Sequence, residues 1–348
     1  MTTCLIGLGA NLGDRRRALD RAVELLEQRD DVRVLARSRW HETAPVGGPV
    51  GQEPFLNGAV VLTTRLEPEA LLAVLRRIES ALGRRRAVRW GPRALDLDLL
   101  IYGDLIRRTP SLTLPHPRMA WRRFVLEPAA EVAAEMMHPT TGWTIAQLLE
   151  HLNTAVPYVA LAGPVGVGKT RLADELAEST GATRIDDRPP PGGLEAFSAD
   201  PPGNAWGAAI EFLESRARLL DAESPGWSQP GRLWVSDFWF AECLALAEVW
   251  LASEPRDAYR RRWEAARRTV VAPKLTVVLD APAERLLDRL REQGRRPGSG
   301  LSLEMLDRFR RAILDESARP GQGPVLRLAC EDSPLVREEV LAAVEAMG

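Results

Sequence analysis

Cysteine is scarce in these 348 residues: three, at Cys4, Cys243 and Cys330, far apart and odd in number. That excludes a disulfide scaffold and gives no metal-ligand spacing; the thiols are expected as small buried hydrophobes in a reducing compartment. Long apolar runs are missing, none reaching the roughly 18 residues of a membrane span. The start, Met1-Thr2-Thr3-Cys4-Leu5-Ile6-Gly7, has no basic segment leading a long apolar stretch, so no signal peptide is expected. The expectation is a cytoplasmic protein with no membrane partner. Excess charge is also missing. The net charge is −2, and the halves are weakly biased: 21 basic and 18 acidic residues in 1–155 (+3), 25 and 30 in 156–348 (−5). Neither value draws a polyanion, and no nucleic-acid partner is expected. Lysine is nearly absent. Lys169 and Lys274 stand against 44 arginines, so a lysine inside a motif calls for a chemical reason.

What is present is ordinary globular material, 45% hydrophobic and 27% charged, in a length that suggests two domains. No internal repeat is visible. Leu19, Val23 and Leu26 sit at helical spacing, as do Leu71, Leu75, Ile78 and Leu82, with Pro68 able to open that helix and Gly83 to end it. Val32–Trp40 alternates, Asn57–Thr64 is rich in β-formers, and Ala94–Tyr102 reads as a further strand. The first half is therefore α+β. In the second half, short buried-looking strands at 158–162, 232–236 and 275–279 alternate with helices, the pattern of an α/β parallel sheet. The boundary falls near Asn153–Pro157, giving domains 1–155 and 156–348.

The densest chemistry in the first half is Arg84-Arg85-Arg86, then Arg89-Trp90-Gly91-Pro92-Arg93-Ala94-Leu95-Asp96-Leu97-Asp98. On a strand, Asp96 and Asp98 share a face and can hold hard cations that also bind phosphate oxygens. Arginine forks upstream suit those phosphates. A solvated acidic face beside a basic loop is the alternative that these residues alone leave open.

Residues 3–140 resemble the 6-hydroxymethyl-7,8-dihydropterin pyrophosphokinases of folate synthesis. The matching runs, in family order, include Ile6-Gly7-Leu8-Gly9-Ala10-Asn11-Leu12-Gly13-Asp14, Glu42-Thr43-Ala44-Pro45-Val46, Phe55-Leu56-Asn57, the 89–98 run, and Leu114-Pro115-His116-Pro117-Arg118. The resemblance implies a ferredoxin-like α+β fold and a transferase, 2-amino-4-hydroxy-6-hydroxymethyldihydropteridine diphosphokinase, with ATP as co-substrate. It implies two Mg²⁺ ions on Asp96 and Asp98, and a catalytic role for Arg84 and Arg93. It places His116 and Arg122 on the ATP side. Thr43, Val46, Phe55, Asn57 and Phe124 match the pterin pocket. This sequence departs in having Arg85 where the family usually has an aliphatic residue.

In the second half, Gly163-Pro164-Val165-Gly166-Val167-Gly168-Lys169-Thr170 fits G-x-x-x-x-G-K-[ST] between an apolar strand and a helix, the context of a P-loop NTPase. The glycines free backbone N–H groups for phosphates. Lys169 reaches the β and γ phosphates, and the Thr170 hydroxyl binds Mg²⁺. Residues 158–318 resemble deoxynucleoside kinases more loosely. By that resemblance Asp187, Asp237, Arg289 and Arg295 are candidate catalytic residues. The departures lie where the substrate should be: Ala209 replaces a base-reading glutamine, Phe238 an arginine, and Gln293 a lid arginine. The expected chain is thus a fusion of a pterin pyrophosphokinase with a P-loop kinase-like domain. The second domain is either an active deoxynucleoside kinase or a non-catalytic nucleotide-sensing module, and it is also the place where a homodimer would form.

Overall fold

In the computed structural model, which describes residues 1–83, 90–187, 203–292, 294, 302–330 and 334–348, the chain divides into two units. One is Met1–Thr154 with Glu338–Gly348; the other is Ala155–Arg337.

The first unit runs β1 (Thr2–Ala10), α1 (Arg15–Glu27), β2 (Val32–Arg37), β3 (His41–Thr43), β4 (Phe55–Thr64), α2 (Pro68–Ala81) and β5 (Asp96–Tyr102). A short β6 (Arg107–Arg108) and β7 (Thr113–Leu114) pair follows, then α3 (Arg123–Ala133) and α4 (Ile145–Thr154). The sheet is antiparallel, in the order β2-β4-β1-β5, with β3 added to β4. α1 begins where the Asp14 carboxylate accepts the N–H of Arg17, satisfying one of the donors that a helix start leaves unpaired. α2 carries Pro68 in its first turn and stops before Gly83, whose φ of 88° suits glycine.

Alternation along the strands then separates two faces. Cys4, Ile6 and Leu8 of β1 pack with Leu19 of α1 and Leu71 and Leu75 of α2. The opposite face carries Gly7, Gly9, Asn57, Asp96 and Asp98. The strand expected over Val32–Trp40 ends at Arg37. Its pairing with β4 shifts register between Val34 and Ala36, leaving Leu35 exposed. Beyond it, the Ser38 hydroxyl accepts the N–H of Ala59 in place of a ladder bond.

The second unit holds β8 (Tyr158–Ala162), α5 (Lys169–Thr180), β9 (Thr183–Ile185), α6 (Gly203–Leu219), β10 (Trp234–Ser236), α7 (Glu242–Trp250) and α8 (Ser253–Arg267). It continues through β11 (Leu275–Asp280), α9 (Ala283–Glu292), α10 (Leu303–Glu316) and β12 (Val325–Ala329). Its five strands are parallel, in the order β12-β11-β8-β10-β9, the α/β architecture read from the sequence. β9, β12 and α8 are not among the elements read from the sequence. β9 is three residues long, and α8 buries only Tyr259 and Trp263 among its arginines, too few apolar positions to make a stripe. The last helix, α11 (Pro334–Ala346), belongs to the first unit from Glu338 onward. Among the described residues no helix is long and apolar enough to cross a membrane.

Candidate active site

Strand register builds the site of the first unit. Gly9 stands opposite Asn57 on one side and Asp96 on the other, so that the three form one row across β4, β1 and β5; Gly7 stands opposite Asp98. The two glycines keep this stretch of sheet open. A Cβ at Gly9 would lie 2.9 Å from Asn57 Oδ1. The Asn57 amide nitrogen donates to Thr43 Oγ1 at 2.7 Å, which fixes the direction of its carbonyl.

Thr43, Val46, Phe55, Asn57 and Phe124 all line a single cavity, whose other wall includes Arg93, Asp96, Asp98 and Arg122. The fold thus gathers residues from β3, β4, β5 and α3 that are far apart in sequence. Arg84 lies outside the described residues.

Charge is organised around the two aspartates. The Arg93 guanidinium pairs with Asp96. Its backbone is clamped by Asn11, whose Oδ1 accepts the Arg93 N–H at 2.7 Å and whose N–H donates to the Arg93 carbonyl at 2.9 Å. His116 Nε2 lies 4.0 Å from Asp98 Oδ2. Burial, then the charges of Arg122 and Arg118, hold the His116 pKa down to about 3, so this imidazole is neutral near pH 7. Burial and Arg118 also lower Arg122, to about 10, where it remains a cation. Its guanidinium lies 5.5 Å from the Trp121 ring centroid and 5.4 Å from that of Phe124, a cation–π arrangement that keeps an arginine beside an aromatic wall.

Asp96 and Asp98 are hard oxygen donors on one strand face of this cavity. Among the described residues no group of three or more His, Cys, Asp or Glu forms a protein-only metal cage. Such a two-carboxylate set suits Mg²⁺ that completes its shell with water and substrate phosphate oxygens.

Several lining residues were not picked out from the sequence. Trp90 and Trp121 face the cavity. The Trp90 carbonyl accepts Gln52 Nε2 at 3.1 Å, and the same nitrogen reaches the Gly47 carbonyl at 3.2 Å. Glu339 and Ala342 of α11 also line the cavity, and no local pattern around them signals it.

Residues 5–134 match the family 7,8-dihydro-6-hydroxymethylpterin-pyrophosphokinase (HPPK). The chain is 42% identical over 157 residues to the 2-amino-4-hydroxy-6-hydroxymethyldihydropteridine pyrophosphokinase of Synechocystis, a match covering 45% of this chain and 80% of that one. It is 46% identical over 137 residues to the Bacillus subtilis protein of the same name, covering 39% of this chain and 81% of that one. The chain belongs to the HPPK family. It is a transferase, and its HPPK region occupies the first unit. A solved structure of deoxyadenosine kinase from M. mycoides with bound dCTP aligns with 53% of this HPPK-family chain and 96% of its own, with a TM-score of 0.43 and 14% identity.

The second unit of this HPPK-family chain has a site of its own, at the C-terminal ends of three neighbouring parallel strands, where open α/β sheets bind ligands. β8 leads into Gly163–Thr170. Gly163, Gly166 and Gly168 have φ of 147°, 82° and 100°, and a Cβ at Gly163 would lie 2.5 Å from the Leu279 carbonyl oxygen; only glycine fits there. Thr170 Oγ1 donates to Asp237 Oδ2 at 2.7 Å, just beyond β10. Asp237 Oδ1 accepts the N–H of Asp187 at 3.1 Å, just beyond β9. Lys169 Nζ donates to the Gly163 carbonyl and lies 3.9 Å from Glu242 Oε1, which accepts the Gly163 N–H at 2.7 Å.

Arg216 of α6 is buried against both Asp187 and Glu242. Burial opposes its charge, but Asp187, Cys243 and Glu242 outweigh that, and its pKa is pushed up. Glu242 and Arg216 are the members of this cluster that were not singled out from the sequence. Arg289 donates to the Cys330 carbonyl at 3.3 Å. Ala209 lies in the hydrophobic core, and its carbonyl accepts the Tyr259 hydroxyl. Arg295 and Gln293 lie outside the described residues.

Proposed function

We propose that the first unit transfers the pyrophosphoryl group of ATP to the hydroxymethyl oxygen of 6-hydroxymethyl-7,8-dihydropterin at the open face of β1, β4 and β5. The observation that carries this reading is the row Asn57–Gly9–Asp96, which sets a heterocycle-reading amide beside a phosphate-side carboxylate in one cavity. Phe55 and Phe124 offer stacking surfaces for the flat acceptor, and the Asn57 carbonyl, aimed by Thr43, accepts from its edge. Arg93 and Arg122 orient the phosphates, with neutral His116 beside them. Asp96 and Asp98 would hold two Mg²⁺ ions, which when bound neutralise phosphate charge and act as Lewis acids. The acceptor oxygen forms a bond to the β-phosphorus, the bond from that phosphorus to the α,β-bridging oxygen breaks, AMP leaves, and the hydroxyl proton is released. No side chain is assigned as base; positioning and charge stabilisation supply the rate. The βαββαβ path and strand order support reading this unit as a ferredoxin-like sandwich.

For the second unit the reading is a P-loop site for a nucleoside triphosphate, supported by the glycine geometry and by Lys169, Thr170 and Asp237. Asp187 in its pair with Arg216, and Ala209 in the core, favour nucleotide binding without efficient turnover of the common deoxynucleosides. The test is incubation of the full chain with Mg-ATP and either the pterin or each deoxynucleoside, resolving AMP from ADP. The expected result is AMP formed with pterin and little ADP formed with nucleosides. ADP formed in step with pterin loss would overturn the first assignment. Robust ADP formation with one nucleoside, lost in Lys169→Ala, would overturn the second.

A further inference from the structure

We propose that the end of α11 and the two residues after it, 338–348, form a working wall of the pterin pocket and that Glu339 is a positioning residue for the pyrophosphoryl transfer. This rests on the pyrophosphokinase reading of the first unit.

The segment is anchored along its length. Val340, Ala343 and Met347 are buried at 0%, 0% and 4% exposure, so one stripe of the helix is committed to packing. Its end is held by Arg123 of α3, whose Nε donates to the Gly348 carbonyl at 2.6 Å. Glu345 Oε2 accepts the backbone N–H of Gly47 at 2.9 Å. These bonds bind the helix to the chain segments that frame the acceptor cavity.

Two of its side chains line the cavity itself. A Cβ built on Gly47 would lie 3.3 Å from both Ala342 Cβ and the Trp90 ring. Helix, residue 47 and Trp90 therefore meet at one junction, next to residues assigned above to the heterocycle. Glu339 is 5% exposed, and a carboxylate that deeply placed requires a charged or hydrogen-bonding partner. Arg118 Nη2 supplies one at 2.6 Å from Glu339 Oε1. Arg118 is also among the charges that lower His116 and Arg122. Glu339 thus offsets like charge at the phosphate end, while Ala342 shapes the heterocycle end. The wall orders the segments around Gly47 and Trp90 before the acceptor arrives, and preordering of this kind appears as affinity.

The test uses the full chain, its Glu339→Ala, Glu339→Asp and Ala342→Trp variants, and a chain ending at Arg337. KM for pterin, KM for ATP, kcat and the melting temperature are measured for each. Ala342→Trp is expected to raise the pterin KM at least tenfold with the ATP KM within twofold, because the indole enters the acceptor end. Glu339→Ala is expected to raise the ATP KM and lower kcat, each severalfold, with Glu339→Asp recovering part of both. The shortened chain, if it folds, is expected to lose pterin affinity; if it does not fold, the three full-length variants decide. Wild-type constants in Ala342→Trp, a Glu339→Ala chain altered only in melting temperature, or higher activity in the shortened chain would each overturn the proposal. An inactive wild-type chain would instead overturn the pyrophosphokinase reading beneath it.

Discussion

Arg216 grips Asp187 with both ends of its guanidinium, Nη2 to Oδ2 at 2.7 Å and Nε to Oδ1 at 3.2 Å. The same arginine reaches Glu242 Oε2 at 3.4 Å, and Glu242 accepts the first N–H of the glycine loop. An ion pair therefore links the end of β9 to the glycine loop after β8. The bidentate contact engages both Asp187 oxygens, which bears on the catalytic role that resemblance suggests for Asp187.

Arg216→Met should unfold the second unit at lower urea. Removing one partner of a buried ionic cluster leaves the remaining carboxylates uncompensated, at a cost of about 3–5 kcal/mol. Urea titration followed by tryptophan fluorescence measures it; an unchanged midpoint would mean that the cluster is solvated.

Asp96→Asn should lower AMP formation by about 100-fold or more, the scale of losing one charge-stabilising group in phosphoryl chemistry. Pterin affinity, read by calorimetry, should change little, since the heterocycle is assigned to the other end of the cavity. Asp98→Asn should behave alike. A loss confined to pterin affinity would reassign both residues.

Gly9→Ala should weaken pterin binding about tenfold, which corresponds to about 1.4 kcal/mol. Its new methyl, 2.9 Å from Asn57 Oδ1, must displace an amide that Thr43 holds in place. ATP affinity should stay within a factor of two. Equal losses for both ligands would point to damage to the sheet instead.

His138 supplies a pH dependence. Burial holds its pKa down to about 4, and its Nδ1 accepts the N–H of Thr141 at 3.2 Å. The unfolded chain, with a histidine near 6.5, binds the extra proton between about pH 6.5 and 4. The contribution is therefore complete above about pH 6.5 and is lost as pH falls toward 4, with a slope approaching 1.4 kcal/mol per pH unit, or about that. Urea midpoints of wild type and His138→Gln at pH 7 and 5 should converge as pH falls. Parallel lines would show that His138 titrates normally.

Most of the longer elements, and the residue patterns that lie within one element, are legible in the sequence. Asp96 and Asp98 share a face because strand residues two apart must do so, and Gly163–Thr170 reads as a phosphate loop because its glycines lie between a strand and a helix start. The apolar periods placed α1 and α2, the β-forming composition placed β4, and the Asp–Leu alternation placed β5. Tertiary structure decided what depends on register and on distant packing. Asn57, Gly9 and Asp96 form a row only because β4 and β5 flank β1 in one particular alignment, and a shift of a single residue would turn one of them to the opposite face. The grip of Arg216 on Asp187 joins α6 to the end of β9; resemblance marks Asp187 as a candidate, but nothing in the sequence pairs it with Arg216. Glu339 and Ala342 carry the point furthest: no sequence pattern singled out their segment, and only its folding into the first unit, with Val340, Ala343 and Met347 buried, brings those two residues to the pocket.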